Sequence, residues 1–502
     1  MSPLDVESLS PLEQRFEQVR VRAGLALAPV AFAVVWQAEL PTLSPEAHRL
    51  AAVLATVVTL WITEAVAMPV TALLGASLCV LLRVAPAKEA FAPFADPIMF
   101  LFIGSFILAR AIFLHGLDRR LAFGALSLGW VGKSPARILF TFGAVTAVMS
   151  AWISNTATTA MMFAIGLSLL NYLMRDNGHG AAVDRRYATG LMLMTSFAAS
   201  IGGLATPVGT PPNLIGLAVI RKSLGVEIPF LKWAFVGVPI VACLFLYLFF
   251  YLNLLCGAGT RRAAASLAPL DEERRRLGPW TSGQRSTVFA FAVTVVLWVM
   301  PGMVAVIAGE ESAVYQTLSK CLPESVAALL GATLLFLLPG DRAGKAITWR
   351  EAVEIDWGVV LLYGGGFSLG VLSERLGLAA ALGQSLAQFL PSTSGLTLVI
   401  ASAAVAMLVS ELTSNTASAI IVVPVAISIA QAAGANPLEP ALAATFAASL
   451  GFMLPVSTPC NAIVYGSGYI PLTRMVRYGL LLDLAGVTII VVMVRLLGRW
   501  VL

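Results

Sequence analysis

Residues 154–162 read SNTATTAMM, and residues 414–422 read SNTASAIIV. Each Ser-Asn-Thr cluster stands between long apolar stretches, in a chain where polar clusters are scarce. Small polar residues have an ordinary use in membrane helices, because they let helices approach closely and hydrogen-bond across the contact. One copy would call for nothing more. Two copies at matched positions, each followed by Pro-Val-x-Thr-Pro-x-Asn ("TPVGTPPN" at Thr206, "LPVSTPCN" at Leu454), require a second account.

The surrounding composition is that of a membrane protein. Of 502 residues, 58% are hydrophobic and only 12% charged, whereas soluble domains carry about a quarter charged residues. Residues 234–255, AFVGVPIVACLFLYLFFYLNLL, contain no charge, and residues 286–309 and 478–494 are nearly as apolar. Such runs match the ~20 residues that a membrane-spanning helix needs. The ten-residue alternating segments of a β-barrel are absent. The expectation is an all-α polytopic membrane protein. The first 22 residues carry Asp5, Glu7, Glu13 and Glu17 and lack the basic start and apolar core of a signal peptide, so they read as a cytoplasmic lead-in. Five cysteines without a Cys-x-x-Cys indicate neither a disulfide framework nor a zinc site. The net charge of +5 sits mainly in loops, which is a topology signal and gives no support to a nucleic-acid partner.

The pattern predicts eleven spans, beginning near Gly24, Ala51, Ala67, Pro97, Tyr187, Trp233, Ser286, Pro323, Trp357, Ala441 and Tyr478. Two re-entrant hairpins, 134–174 and 391–431, carry the Ser-Asn-Thr clusters near their turns. With the N-terminus inside, inner segments collect 22 of the 32 basic residues, Arg110, Arg119 and Arg120 among them, which supports an N-in, C-out topology. Asp96 and Asp356 are 260 positions apart, as are Ser150 and Ser410, and Ser154 and Ser414. The proline motifs are offset by 248. An odd number of spans separates the two aspartates, so the halves, 23–256 and 286–502, are related by inversion about a charged cytoplasmic linker, 257–285. Inverted repeats with interrupted helices are the architecture of many secondary transporters.

The proline motifs predict the interruptions. In ATPVGTPPNLIG three prolines and a glycine fall within eight residues, and a regular helix does not pass through such a stretch. The freed backbone groups need protein, water or a ligand in place of lipid. Broken helices are therefore expected at 187–220 and 441–468. Helix ends meeting at mid-membrane offer N–H groups to a carboxylate, and carbonyl, Ser, Thr and Asn oxygens to a small hard cation. No Lys or Arg lies in either motif, so a bound anion would be balanced by helix ends and co-bound cations.

These motifs, together with WITEAVAMPVTALL at Trp61, resemble those of the divalent anion/sodium symporters, the di- and tricarboxylate and sulfate carriers, over essentially the whole chain. The resemblance implies a homodimer in the inner (plasma) membrane, in which a transport domain slides as an elevator against a scaffold. It implies two Na+ sites: Ser150, Ser154, Asn155 and the Gly209 backbone in one, and Ser410, Asn415 and the Ser457 and Pro459 backbones in the other. It places the substrate carboxylates on Asn155, Thr156, Thr210, Asn415, Thr416 and Thr458. Cys460 departs from the pattern by standing where the first half has Pro212, which weakens the proline brake there. The implied cargo is a divalent anion, a C4-dicarboxylate foremost, with sulfate or citrate carriage, dicarboxylate exchange and proton coupling as alternatives.

Glu411 and Glu64 are intramembrane acids, each either a proton site or an acid bonded to backbone. Asp483 reads as a packing or interface residue, and His48, His115 and His179 as solvated. The glycines 364–366 suit close helix packing, since no Lys-Ser/Thr follows for phosphate. A hydrolase would need a nucleophile with an oriented base, and no histidine lies in either Ser-Asn-Thr segment. No enzyme is expected. An anion channel stays open as the reading from another class.

Overall fold

A computed structural model describes residues 11–174, 183–257, 268–341, 344–387 and 394–500, and its regular elements are helices. The first half runs α1 (Pro11–Gln37), α2 (Pro45–Thr63), α3 (Met68–Leu81), short α4 (Ala87–Phe91), α5 (Pro97–Leu114) and α6 (Leu117–Leu126). The first hairpin follows as α7 (Pro135–Ser150) and α8 (Asn155–Leu173), then α9 (Arg185–Gly202), α10 (Pro211–Leu224) and α11 (Phe230–Cys256). Short α12 (Ala268–Arg276) precedes the second half: α13 (Ser282–Ala308), α14 (Ala313–Cys321), α15 (Glu324–Leu337), α16 (Trp349–Ala352), α17 (Trp357–Arg375) and α18 (Leu378–Ala387). The second hairpin is α19 (Gly395–Leu412) and α20 (Asn415–Ala432), followed by α21 (Leu438–Ala447), α22 (Pro459–Tyr465) and α23 (Leu472–Leu497).

Each of the eleven anticipated spans meets a helix, and both proline motifs fall in breaks, between α9 and α10 and between α21 and α22. Boundaries shift where polar caps extend the helix beyond its apolar run. Thr281 and Gln284 form a reciprocal capping box, so α13 starts four residues before Ser286. At the N-terminus α1 already begins at Pro11, which makes residues 11–22 part of the helix of the first span. Asp5, Glu7, His179 and the start of the second hairpin, 391–393, lie outside the described residues.

The helix caps carry the internal repeat. Asp96 accepts from the Ile98 N–H at 2.9 Å, and Asp356 accepts from the Val359 N–H at 3.2 Å. Ser134 and Ser394, also 260 apart, accept from the N–H three residues on, Arg137 and Thr397.

Eight helices among the described residues are long and apolar enough to cross a membrane, ten if two bent pairs each count as one span. Three of the eight, α8, α19 and α20, are hairpin arms. The broken spans do not qualify, although they form the centre of the molecule: every residue of α9 from Tyr187 to Gly202 is buried. Their buried Thr and Ser lower the hydropathy, and the breaks shorten the pieces. The halves interlock there. Piece α22 of the second half packs on α8 and α9 of the first, and piece α10 of the first packs on α20 and α21 of the second.

The glycines 364–366 lie against Phe94, Ala72 and Ile420, where an added Cβ would come within 2.4, 2.6 and 2.9 Å. They permit helix contact, as expected. The histidine expectation needs correcting. His48 Nε2 lies 2.6 Å from the Val35 carbonyl, and His115 Nε2 lies 2.6 Å from the Ala346 carbonyl, with the His115 side chain only 5% exposed. Both tie segments together; neither is simply solvated.

Candidate functional site

Each hairpin tip is organised by a serine at the end of its first arm and an asparagine at the start of its second. Ser150 Oγ donates to Asn155 Oδ1 at 2.7 Å, and Ser410 Oγ donates to Asn415 Oδ1 at 2.8 Å. Ser410 Oγ is also 2.8 Å from the Ala448 carbonyl. One hydroxyl proton serves only one of these acceptors, so oxygen lone pairs outnumber protons around Ser410. A hard cation relieves such an excess.

The asparagine that ends each proline motif holds the broken span together. Asn213 Nδ2 donates to the Gly203 and Thr206 carbonyls at 2.9 and 2.8 Å. Asn461 Nδ2 donates to the Gly451 and Leu454 carbonyls, both at 2.9 Å. All three pairs of positions share the 248 offset. These clasps answer the need of freed backbone groups for partners inside a membrane. The sequence displayed both asparagines without revealing this role. Cys460 does not disturb it, because α22 starts at Pro459 as α10 starts at Pro211.

Tips and breaks converge on one cavity of about 440 Å³, within the usual range of small-molecule sites. Ten of the twelve expected residues line it: Ser154, Asn155, Thr156, Gly209, Thr210, Asn415, Thr416, Ser457, Thr458 and Pro459. Ser150 and Ser410 stand one layer behind, fully buried on their asparagines. The helix starts facing the cavity differ between halves. Ser414 and Thr458 accept from the first-turn amides of Ala417 and Asn461. Ser154 and Thr210 make no such side-chain bond, which leaves the first turn of α8 to offer N–H groups to an anion; α10 opens on Pro211 and Pro212, which have no N–H, and its Asn213 amide donates to the Thr210 carbonyl.

The far wall belongs to α5 and α17. Phe102, Phe106 and Phe113 are apolar there, and Arg110 lies at the mouth, paired with Glu354. Arg110 was expected in a loop. It stands instead inside α5, where its partner neutralises it.

The two intramembrane acids are bonded to their surroundings. Glu411 accepts from the Met453 N–H at 2.8 Å and the Ser457 hydroxyl at 2.6 Å, bracing the second break. The first half has Ala151 at that position, and its carbonyl accepts from the Thr206 hydroxyl. Glu64 ends α2 in a left-handed conformation and pairs with Arg20 at 2.7 Å. Asp483 is fully buried in α23, as a packing residue would be.

Two hairpin tips and two interrupted helices, closed around an oxygen-lined cavity in an all-helical multi-span protein, define a secondary transporter. The family described as the sodium:sulfate symporter transmembrane region matches residues 21–502, and the chain belongs to it. It is therefore an integral multi-pass, sodium-coupled anion transporter and no enzyme. It is 30% identical over 493 residues to the sodium-dependent dicarboxylate transporter SdcS of Staphylococcus saprophyticus, covering 97% of this chain and 93% of the relative. It is 32% identical over 456 residues to an uncharacterized transporter of Haemophilus influenzae, covering 89% and 91%. Among solved structures, the YdaH transporter of Alcanivorax borkumensis aligns at a TM-score of 0.54 with 14% identity, over 82% of this chain and 85% of that one. MtrF of Neisseria gonorrhoeae gives 0.54 and 13%, over 84% and 85%. At such identities the likeness is one of fold.

Proposed function

We propose that the chain carries a C4-dicarboxylate such as succinate, malate or fumarate across the inner (plasma) membrane as a homodimer, driven by co-bound sodium. The observation that carries this is the donor set around the cavity. Ser, Thr and Asn side chains and backbone groups from both halves meet there, and Arg110, the one cation among the described lining residues, is already paired. A dianion in that place draws its positive charge from the first turn of α8 and from sodium. Sodium 1 takes Ser150, Ser154, Asn155 and the Gly209 carbonyl; sodium 2 takes Ser410, Asn415 and the Ser457 and Pro459 carbonyls. Asn155, Thr156, Thr210, Asn415, Thr416 and Thr458 hold the carboxylates. The named SdcS relative supports the choice of a dicarboxylate.

With the N-terminus inside, Arg110, Glu354 and Asp356 mark a cytoplasmic mouth, and the cavity faces inward. Transport then requires the tips and broken helices to slide as one body along α5 and α17. The ion pair in which Arg221 Nη2 on α10 meets both Asp96 carboxylate oxygens at the head of α5, 2.9 and 2.7 Å, would break in that motion.

Purified protein in liposomes tests the assignment with succinate, malate, fumarate, citrate and sulfate, under a sodium gradient or in choline, with and without internal counter-substrate. Sodium-dependent uptake of the C4 acids is expected. Preference for sulfate or citrate overturns the cargo, an absolute need for internal dicarboxylate makes the protein an exchanger, and non-saturable flux makes it a channel.

A further inference from the structure

With the N-terminus inside, the corner that joins α10 to α11 lies on the outer side, opposite the mouth at Arg110. Four donors on this corner, between Arg221 and Lys232, reach four carboxylates on other elements. Arg221 Nη2 meets both Asp96 oxygens at the head of α5, at 2.9 and 2.7 Å. The Ser223 hydroxyl donates to Glu374 near the end of α17 at 3.1 Å. The Phe230 N–H donates to Glu324, the first residue of α15. Lys232 pairs with Glu310, just after α13, at 2.9 Å.

The acceptors belong together, since α5 packs on α13, α15 and α17. The donors belong with the cavity: α10 continues the first broken span, and α11 packs on α9 and α7. Every link crosses between the same two groups of helices, with the corner donating and the far group accepting. Asp96 is also held on its own side, by the Tyr363 hydroxyl of α17 at 3.4 Å. The Phe230 ring adds an apolar seat. It stacks on Trp298 of α13 at 5.3 Å and 13°, and on Trp152 of the first hairpin tip at 5.9 Å and 19°. Glu324 braces that seat twice, because its carbonyl accepts from Trp298 Nε1 at 3.0 Å. The links are unequal. Exposed ion pairs contribute little, and the Glu310 side chain is 54% exposed. The Asp96 side chain is only 13% exposed, so its pair with Arg221 counts for more.

We propose that this corner is an outer latch: Asp96, Glu324 and Glu374 hold it and so keep the sodium-free carrier inward-facing at rest. The inference rests on the sliding motion proposed above. Sliding carries the corner past acids that stay in place and breaks these links together, so they stabilise only the inward-facing state. The outward-facing fraction of the unloaded carrier is then small, and apparent affinity for external substrate is reduced by that fraction. Loosening the latch improves uptake affinity from outside. Damage to a binding site does the opposite.

The test uses the full-length protein in intact cells, whose outer face is defined. Asp96→Asn keeps a cap on α5 but removes the charge, and Arg221→Met keeps the reach of the side chain without its charge. External sodium is held below saturation, because saturating sodium itself draws the carrier outward. Each variant is then expected to lower the external succinate concentration for half-maximal initial uptake about five- to tenfold, as loss of a hydrogen bond to a charged group implies. An unchanged or raised value in both variants overturns the latch. A bridge between Ser223→Cys and Glu374→Cys separates the two levels, made with a short bifunctional thiol reagent in a Cys321→Ser background that lacks the exposed native thiol. Bridging in the sodium-free protein, with arrest of uptake, is expected. Failure to bridge there overturns the latch; bridging that leaves uptake intact overturns the sliding motion itself.

Discussion

At the scale of single residues, the proposed site gives each hairpin tip one central asparagine. Asn155 and Asn415 each accept at Oδ1 from a serine behind and line the cavity in front, which is why the proposal gives each both a cation and a carboxylate. Replacing either by alanine removes two interactions with charged partners, about 1.5 kcal/mol or more each. Uptake should fall on the order of a hundredfold, while the protein still purifies as a folded species. Near-normal uptake by either variant would sink the assigned site. The serines behind them make a different prediction. Ser150→Ala and Ser410→Ala each remove one oxygen from a proposed sodium shell and leave the carboxylate partners in place. The sodium requirement should rise about five- to tenfold. A change confined to substrate affinity at saturating sodium would show that these serines are not ligands.

At the scale of elements, the two broken helices are built alike but packed unequally. Gly203 and Gly451 occupy equivalent positions. A Cβ at Gly203 would fall 2.5 Å from Asn155 Oδ1, whereas one at Gly451 stays 3.4 Å from Asn415 Oδ1, an ordinary contact. Gly203→Ala should therefore impair uptake, and Gly451→Ala should be tolerated; the reverse order would contradict the packing. The clasps are testable as well. Asn461→Asp keeps the shape of the side chain but cannot donate, leaving the Gly451 and Leu454 carbonyls without partners at about 1–3 kcal/mol each. Its thermal unfolding midpoint should drop at least as far as that of Asn461→Ala. The breaks, both tips and the long spans were legible in the sequence because prolines, matched offsets and apolar runs are local signals. Short α6, α12, α14, α16 and α18 were not, being brief helices inside connecting segments. Nor was the close approach of α23 to the second break at Gly479, where a Cβ would be 2.2 Å from the Phe452 carbonyl. Hydropathy alone would have mis-sorted the elements, accepting hairpin arms and rejecting the buried α9.

At the scale of the whole molecule, neither half owns a complete site. Each tip packs on the broken span of its own half, while α22 crosses to α8 and α9, and α10 crosses to α20 and α21. The cavity is thus assembled from four pieces that order one another, and whatever binds at one tip bears on the geometry at the other. No Lys or Arg stands among the twelve assigned residues, so a dianion held there without sodium meets little positive charge beyond the start of α8. Sodium and substrate must then tighten each other's binding by the same factor, because a coupling free energy is reciprocal. Couplings of this kind run about 1–3 kcal/mol, or roughly 5- to 150-fold in affinity. Calorimetric titration of the detergent-purified protein with succinate, in sodium and in choline at equal ionic strength, measures one side of the cycle. Titration with sodium, in the presence and absence of succinate, measures the other. The two factors should agree and exceed about fivefold. Equal succinate affinity in both salts would uncouple the anion from sodium at this site and leave exchange, or a proton carried by Glu411, to drive the cycle.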